Sequence, residues 1–154
     1  PGPGGTGDGG HGRGIMQIDD RAFSSWVALS NWADPYTNIR KGAEVLGQKL
    51  AFFQGRGTVA GLTDGTTVSL NSAAASRRGV KAGSYPDPRP LTGTTLLRAG
   101  VAAYNTGEGN VLMSIAAGKD PDITTAKGGL LSLGGDYARD VLARVAKMVS
   151  ALPA

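Results

Sequence analysis

The stretch from Asp34 to Phe53 constrains the fold of this chain more than any other. Asp34 is a good helix N-cap, because its carboxylate can accept a hydrogen bond from a free N–H of the first turn. Pro35 suits the first helical position, where its missing N–H is no loss and its φ is already helical. Ile39, Ala43, Leu46, Leu50 and Phe53 follow at spacings of four and three, the signature of one apolar helix face. Gly55 and Gly57 end the segment. A helix of this length with a one-sided apolar face needs other elements to cover it, so the remaining chain must supply them.

It does so mostly with more helix. Helical patterning resumes at Thr94 or Thr95, with Leu96, Leu97, Val101 and Ala102 as its apolar face, and Gly107 breaks it. Asn110 to Ala117 reads as a short helix ending at Gly118. A last helix is expected over about 136–151, with Val141, Leu142, Val145, Met148, Val149 and Leu152 on a broad apolar face. Residues 1–14 are glycine-rich and read as a loop, and Ile15 to Asp19 is too short to classify by period. Residues 55–93 are rich in Gly, Ser, Thr and Arg, with Pro at 86, 88 and 90, and read as a long surface insertion. Within it, Asp64-Gly65 between Val59, Leu62, Val68 and Leu70 is a hairpin signal. The expected fold is a single mainly α domain with a small β element and a long loop insertion at about 55–93.

The totals narrow the function. At 154 residues, with 40% hydrophobic and 18% charged, the chain can bury a core of its own. It has no cysteine, so no disulfide or thiolate chemistry is open to it, and its single histidine, His11, argues against a zinc site. No cofactor is expected. No apolar run reaches the length of a membrane span, and Pro1 to Gly5 lacks the features of a signal peptide. The net charge of +4 suits polyanions. The cationic residues are scattered, however, and no nucleic-acid-binding signature accompanies them, so an anionic cell-wall polymer fits as well and nucleic acid is not the expected partner.

Three segments carry possible chemistry. In the first, glycines at 7, 9, 10, 12 and 14 lie between Asp8 and Asp19. Glycines let a backbone turn sharply and approach a ligand closely. A loop folding back could bring both carboxylates to one cleft, and carboxylates in unlike environments are the equipment of glycoside hydrolysis. The plainer reading is that Asp8 holds a turn and Asp19 caps a helix. Phosphate binding fits poorly, because no strand precedes the glycines and no Gly-Lys-Ser/Thr follows. The second segment, Ala103-Tyr104-Asn105-Thr106-Gly107, is either a helix end capped by Asn and Gly or a hydroxyl and an amide offered to a sugar. The third is Asp136-Tyr137-Ala138-Arg139-Asp140-Val141.

Together these segments resemble the goose-type lysozymes, a family of the lysozyme-like and lytic transglycosylase superfamily that includes chitinases. Gly7 to Asp19 is similar to that family's Asp-x-Gly-x-Gly-x-Gly run leading into an Ile-Met-Gln-Ile-Asp strand. The second segment is similar to its Ala-Tyr-Asn-x-Gly motif, and the third to its Asp-Tyr-Ala-x-Asp-Val helix. The motifs stand in the family order and span nearly the whole chain. The resemblance implies a lysozyme-like fold that cleaves β-1,4 linkages of peptidoglycan, or of chitin in some members. It assigns Asp8 and Asp19 to holding and activating the attacking water, with inversion. It assigns His11, Met16, Gln17, Arg21, Tyr104, Asn105 and Tyr137 to substrate binding. Lytic transglycosylases generally lack the aspartate pair, so its presence favours hydrolysis.

The family's general acid is a glutamate on a helix before the Asp8 loop, which the resemblance places upstream of Pro1. Glu44 and Glu108 are the only glutamates here, and neither matches that position. Residues 1–154 alone are therefore expected to lack the acid, whose loss costs typically ~10²–10⁴-fold. A truncated domain, a degenerate glycan-binding module and a substitute carboxylate each account for this, and truncation fits the intact aspartates best. Phe23 stands where the family often carries histidine. A monomer, secreted or associated with the cell wall, is the expected setting.

Overall fold

The computed structural model describes residues 5–122 and 137–151, and in them the chain is mainly α-helical with two small antiparallel sheets. In chain order the elements are β1 (Thr6–Gly7), β2 (Gly12–Arg13), β3 (Ile18–Asp19), α1 (Ser24–Leu29), α2 (Pro35–Phe53), β4 (Thr67–Leu70), α3 (Ser72–Arg78), β5 (Gly83–Pro86), α4 (Gly93–Thr106), α5 (Glu108–Ala116) and α6 (Tyr137–Ser150). A single 3-10 turn, Asp8–Gly10, joins β1 to β2. Among the described residues, no helix is long and apolar enough to cross a membrane. The chain forms two compact units, one ending at Gly47 and the other starting at Gln48, so α2 begins in the first and ends in the second.

In the first unit the glycine-rich stretch is not a plain loop. It folds into three two-residue strands in the order β1-β2-β3, with Gly7 opposite Gly12, Gly12 opposite Asp19 and Arg13 opposite Ile18. The glycines are needed because the Gln17 side chain lies across them. A Cβ at Gly12 would come within 2.5 Å of the Gln17 amide oxygen, and one at Gly7 closer still. Gln17 itself is left-handed, at φ 52°, a costly conformation for this residue type. Its amide nitrogen holds it there by donating to the Gly14 carbonyl at 2.6 Å.

Helix α2 supplies the seat for this loop. Asp34 caps it as expected, its carboxylate accepting from the Thr37 N–H at 2.7 Å, and Pro35 is its first residue. At its C-terminal end the expected face holds, with Phe53 buried and Leu46 and Leu50 half-buried, but over the first turns the buried face is rotated from the expected one. Asn38 and Val45 are buried, with Gly42 beside them, whereas Ile39 is 49% exposed and Ala43 is open to solvent. The physical reason is what the helix covers. Asn38 accepts from the Met16 N–H at 2.7 Å and donates to the Arg13 carbonyl at 3.0 Å. The Met16 side chain lies on Gly42, where a Cβ would sit 2.7 Å from it. A polar, irregular loop calls for an amide and a gap, and not for an aliphatic stripe.

The second unit holds most of the apolar core. Phe52 and Phe53 meet edge-on with ring centroids 5.2 Å apart, and Val68, Leu70, Ala74, Ala75, Ala99, Ala102, Ala103, Val111 and Leu112 are buried in the same unit. The 55–93 stretch contributes to this core and is only partly loop. Strands β4 and β5 pair antiparallel, with Val68 opposite Tyr85, and the connection between them carries α3. Asn71 caps α3 by accepting from the Ala74 N–H at 2.9 Å, and Gly79 ends it in the left-handed region. The turn expected at Asp64-Gly65 is present: Thr63 bridges to Val68 across it, and Asp64 accepts from Thr66 and Thr67.

Behind the ribbon, Asp87 and Arg89 form an ion pair with each side chain only 3% exposed. Arg89 also donates to the carbonyls of Phe52 and Gly57, and its guanidinium stacks 4.1 Å from the Phe52 ring centre. The last helices match their expected positions closely, although α5 starts two residues early. In α6, Ala138 is buried and Val141 and Leu142 are half-buried. Val145, Met148 and Val149 are exposed, so burial fades along the expected apolar face. Leu152 lies outside the described residues.

Candidate functional site

The short sheet of the first unit brings Asp8 and Asp19 together, eleven positions apart in the chain. Asp8 stands in the 3-10 turn at φ 49°, a left-handed conformation that aspartate tolerates better than most side chains. Asp19 ends β3. Arg21 bridges them. Its Nη2 donates to Asp8 Oδ2 and to Asp19 Oδ2, both at 2.8 Å, while its Nε donates to Asp19 Oδ1 at 2.9 Å. The Arg21 backbone N–H donates to Asp19 Oδ1 as well, at 2.9 Å. The hydrogen bond from Arg21 holds the Asp19 carboxyl below its usual range, against a smaller opposing effect of burial. The same bond pushes the Arg21 guanidinium up.

This geometry bears on roles. Two hydrogen bonds to one nitrogen keep the two carboxylate oxygens closer together than the roughly 6.5–9.5 Å between acid and base of an inverting pair. The spacing of the two aspartates is therefore too short for them to face each other as the acid and base of such a pair.

Beside this pair stands a second ionic cluster that sequence reasoning missed. Asp20 accepts from Arg13, and its Oδ1 lies 2.9 Å from His11 Nδ1. The hydrogen bond to His11 lowers the Asp20 pKa first, with Arg13 adding to it and burial opposing. The Arg13 guanidinium also lies 5.6 Å from the Trp32 ring centre. The available signal was the Asp19-Asp20 pair itself. Successive residues of an extended strand point to opposite sides, so one carboxylate goes to Arg21 and the next to Arg13 and His11. The side-chain hydrogen bond of His11 thus goes to Asp20, and His11 reaches Asp19 only through a weaker charge interaction.

Of the other residues expected to bind substrate in this unit, Arg21 sits at the aspartate pair. Met16 and Gln17 are used within the loop, Met16 packed on Gly42 and Gln17 bonded to the Gly14 carbonyl. Phe23 carries the Lys41 ammonium 5.0 Å from its ring centre. Asn38 was missed because a buried Asn inside a helix pattern reads as a surface residue. Glu44 pairs with Lys41 at 2.7 Å.

In the second unit, Tyr104 and Asn105 end α4 and Tyr137 opens α6. Tyr104 and Tyr137 stand close together. Burial pushes the Tyr104 hydroxyl up to about 12, with Tyr137 adding to the shift, and burial followed by the Asp122 charge raises Tyr137. Both hydroxyls therefore stay protonated and can donate at neutral pH. Asn105 is exposed. Glu108 is the first residue of α5 and is ion-paired with Lys49. Burial is the largest single influence and opposes its ionisation, but the hydrogen bond from Lys49, a backbone hydrogen bond and the Lys49 charge together outweigh it, and the net pKa is lowered. Among the described residues, no group of three or more His, Asp or Glu side chains could hold a metal ion.

Comparison with known protein families, curated proteins and solved structures found no match to this chain.

Proposed function

We propose that this chain is the water-handling part of a glycoside hydrolase that cleaves β-1,4 linkages of peptidoglycan with inversion. One observation carries the reading: two carboxylates from separate strands and turns, Asp8 and Asp19, converge on a single point of an exposed loop. Two acceptors there can orient a water by accepting both of its protons, and one can take a proton as the oxygen attacks. Tyr104, Asn105 and Tyr137 offer hydroxyl and amide groups to sugar rings, as in the motifs they resemble. The wall is an anionic polymer, which suits the net charge of +4.

The reading requires two further things. Arg21 must leave the space between the aspartates when water and substrate enter. At 56% exposed it can swing out cheaply, since ion pairs of this exposure are worth little. A carboxylic acid must also protonate the leaving oxygen. Glu108 is unsuited, because Lys49 keeps it ionised, and Glu44 is engaged by Lys41. Neither glutamate of residues 1–154 therefore fits that role.

A second reading is a glycan-binding module that does not turn over its ligand. It is favoured by the same Arg21, which neutralises the two carboxylates as they stand.

The test uses the protein on purified peptidoglycan. Reducing sugars should appear with inverted anomeric configuration, and Asp19→Asn should cut kcat by about 10²-fold or more. Anhydro-sugar products would assign a lytic transglycosylase, and turnover of chitin alone would assign a chitinase. Binding without any product would establish the module reading.

A further inference from the structure

A pocket of about 260 Å³ opens on the first unit, lined by Trp26 of α1 and by Tyr36, Thr37, Arg40, Lys41 and Glu44 of α2. It shares no residue with the Asp8 and Asp19 pair. Tyr36, Arg40 and Glu44 follow at helical spacings of four and so stand on one face. Tyr36 is 75% exposed, a large aromatic surface left in water. Arg40 is exposed and forms no ion pair among the described residues. Lys41 is already engaged: its ammonium is bound to Glu44 at 2.7 Å and lies 5.0 Å from the Phe23 ring centre and 5.9 Å from that of Trp26. Lys41 thus works as a strut between α2 and the aromatic rings, and Arg40 is the cation left for a ligand.

We propose that this pocket binds one carboxylate-bearing sugar unit. Its ring face packs on Trp26 and Tyr36, and its carboxylate pairs with Arg40. A sugar ring offers C–H groups on its faces, and these fit the electron-rich face of an aromatic ring. Its edge hydroxyls both donate and accept, so they can use the Glu44 carboxylate and the Thr37 hydroxyl together. A guanidinium matches a carboxylate in a two-pronged geometry that an ammonium cannot offer. The volume lies just below the roughly 300–1,000 Å³ of drug-sized ligand sites, which limits the occupant to a single ring. The inference does not depend on the hydrolytic reading.

The test is a titration of the ¹⁵N-labelled chain, followed by NMR, with glucuronate, glucose, glucose 6-phosphate and N-acetyl-D-alanyl-D-alanine. Glucuronate should shift the Trp26 indole and the amides of 36–44, and it should bind at least fivefold tighter than glucose. Arg40→Gln should bring glucuronate and glucose to equal affinity, and Tyr36→Ala should weaken both at least fivefold. Both side chains are exposed, so an unchanged Tm verifies that the fold is kept. Equal binding of glucose and glucuronate by the unaltered chain would overturn the proposal, as would an Arg40→Gln variant that keeps the preference. Tighter binding of the dipeptide would reassign the pocket to a peptide carboxylate, and tighter binding of glucose 6-phosphate would reassign it to a phosphate.

Discussion

Arg21 makes three hydrogen bonds to Asp19 and one to Asp8, with all three side chains partly in water. Its effect is therefore electrostatic tuning more than stability. Replacing Arg21 with Gln should let the Asp19 pKa rise toward the usual carboxylate value, as read by ¹³C titration of the carboxyl carbons. An unmoved midpoint would mean that Arg21 does not control that charge. Asn38 is the opposite case, fully buried and bonded at both ends of its amide. Asn38→Leu keeps much of the volume but strands the Met16 N–H and the Arg13 carbonyl. Leaving buried polar groups unpaired costs about 1–3 kcal/mol, so urea unfolding should show a loss of that order. A loss near zero would mean that water replaces the amide. The two residues differ in how visible they are in the sequence. Asp8, Asp19 and Arg21 stand out in their glycine-rich setting, whereas a buried Asn on a helix has no pattern to announce it.

At the scale of elements, the start and end of α2 were legible because caps are local chemistry. Asp34, Pro35 and Gly55 act within a few residues of themselves. Its C-terminal face at Phe53 followed the apolar period, but the buried face of its first turns was not legible, because that face depends on what the helix covers. Ile39 and Ala43 fit an apolar period and are exposed, whereas Asn38 breaks that period and is buried. The 55–93 stretch was harder for a related reason. Its strands are four residues long and its helix seven, too short for a period to emerge above its many glycines and serines. The cap at Asn71 is the local signal that reading by period passed over. Asn71→Ala should destabilise the second unit by about 1 kcal/mol, the usual worth of such a cap, measured by thermal or urea unfolding. A neutral substitution would show that packing of Ala74 and Ala75 alone holds α3.

At the scale of the whole molecule, stability should depend on pH in one direction. Asp19, Asp20, Asp34, Asp64, Asp87 and Glu108 all have pKa values below their usual range, chiefly through hydrogen bonds from neighbouring side chains and backbone. A carboxyl depressed by folding gives stability that is present above its unfolded pKa and is lost as pH falls through its folded value. The Tm should therefore hold above about pH 5 and fall steeply from the ordinary carboxylate range toward pH 2. A Tm that is flat or rising over that interval would contradict these assignments. Among the pairs, Asp87 and Arg89 carry the largest single risk, since both side chains are shut from water. Arg89→Met leaves Asp87 buried without a counter-charge and should cost about 3–5 kcal/mol, while removing both charges should cost much less. Equal losses in the single and double variants would show that the Arg89 stack on Phe52 matters more than its charge. The mainly α class was legible across the chain. The spatial grouping of the site was less so, because short strands decide which of two adjacent aspartates meets which cation. Finally, the seat of the glycine loop has a consequence for anyone who would transplant it. The notch at Gly42 and the amide of Asn38 are the mould into which residues 14–16 are cast. Moving residues 5–21 to another scaffold without those two helix positions would carry the carboxylates but not their alignment, so the smallest portable unit is the loop together with the opening turns of its helix.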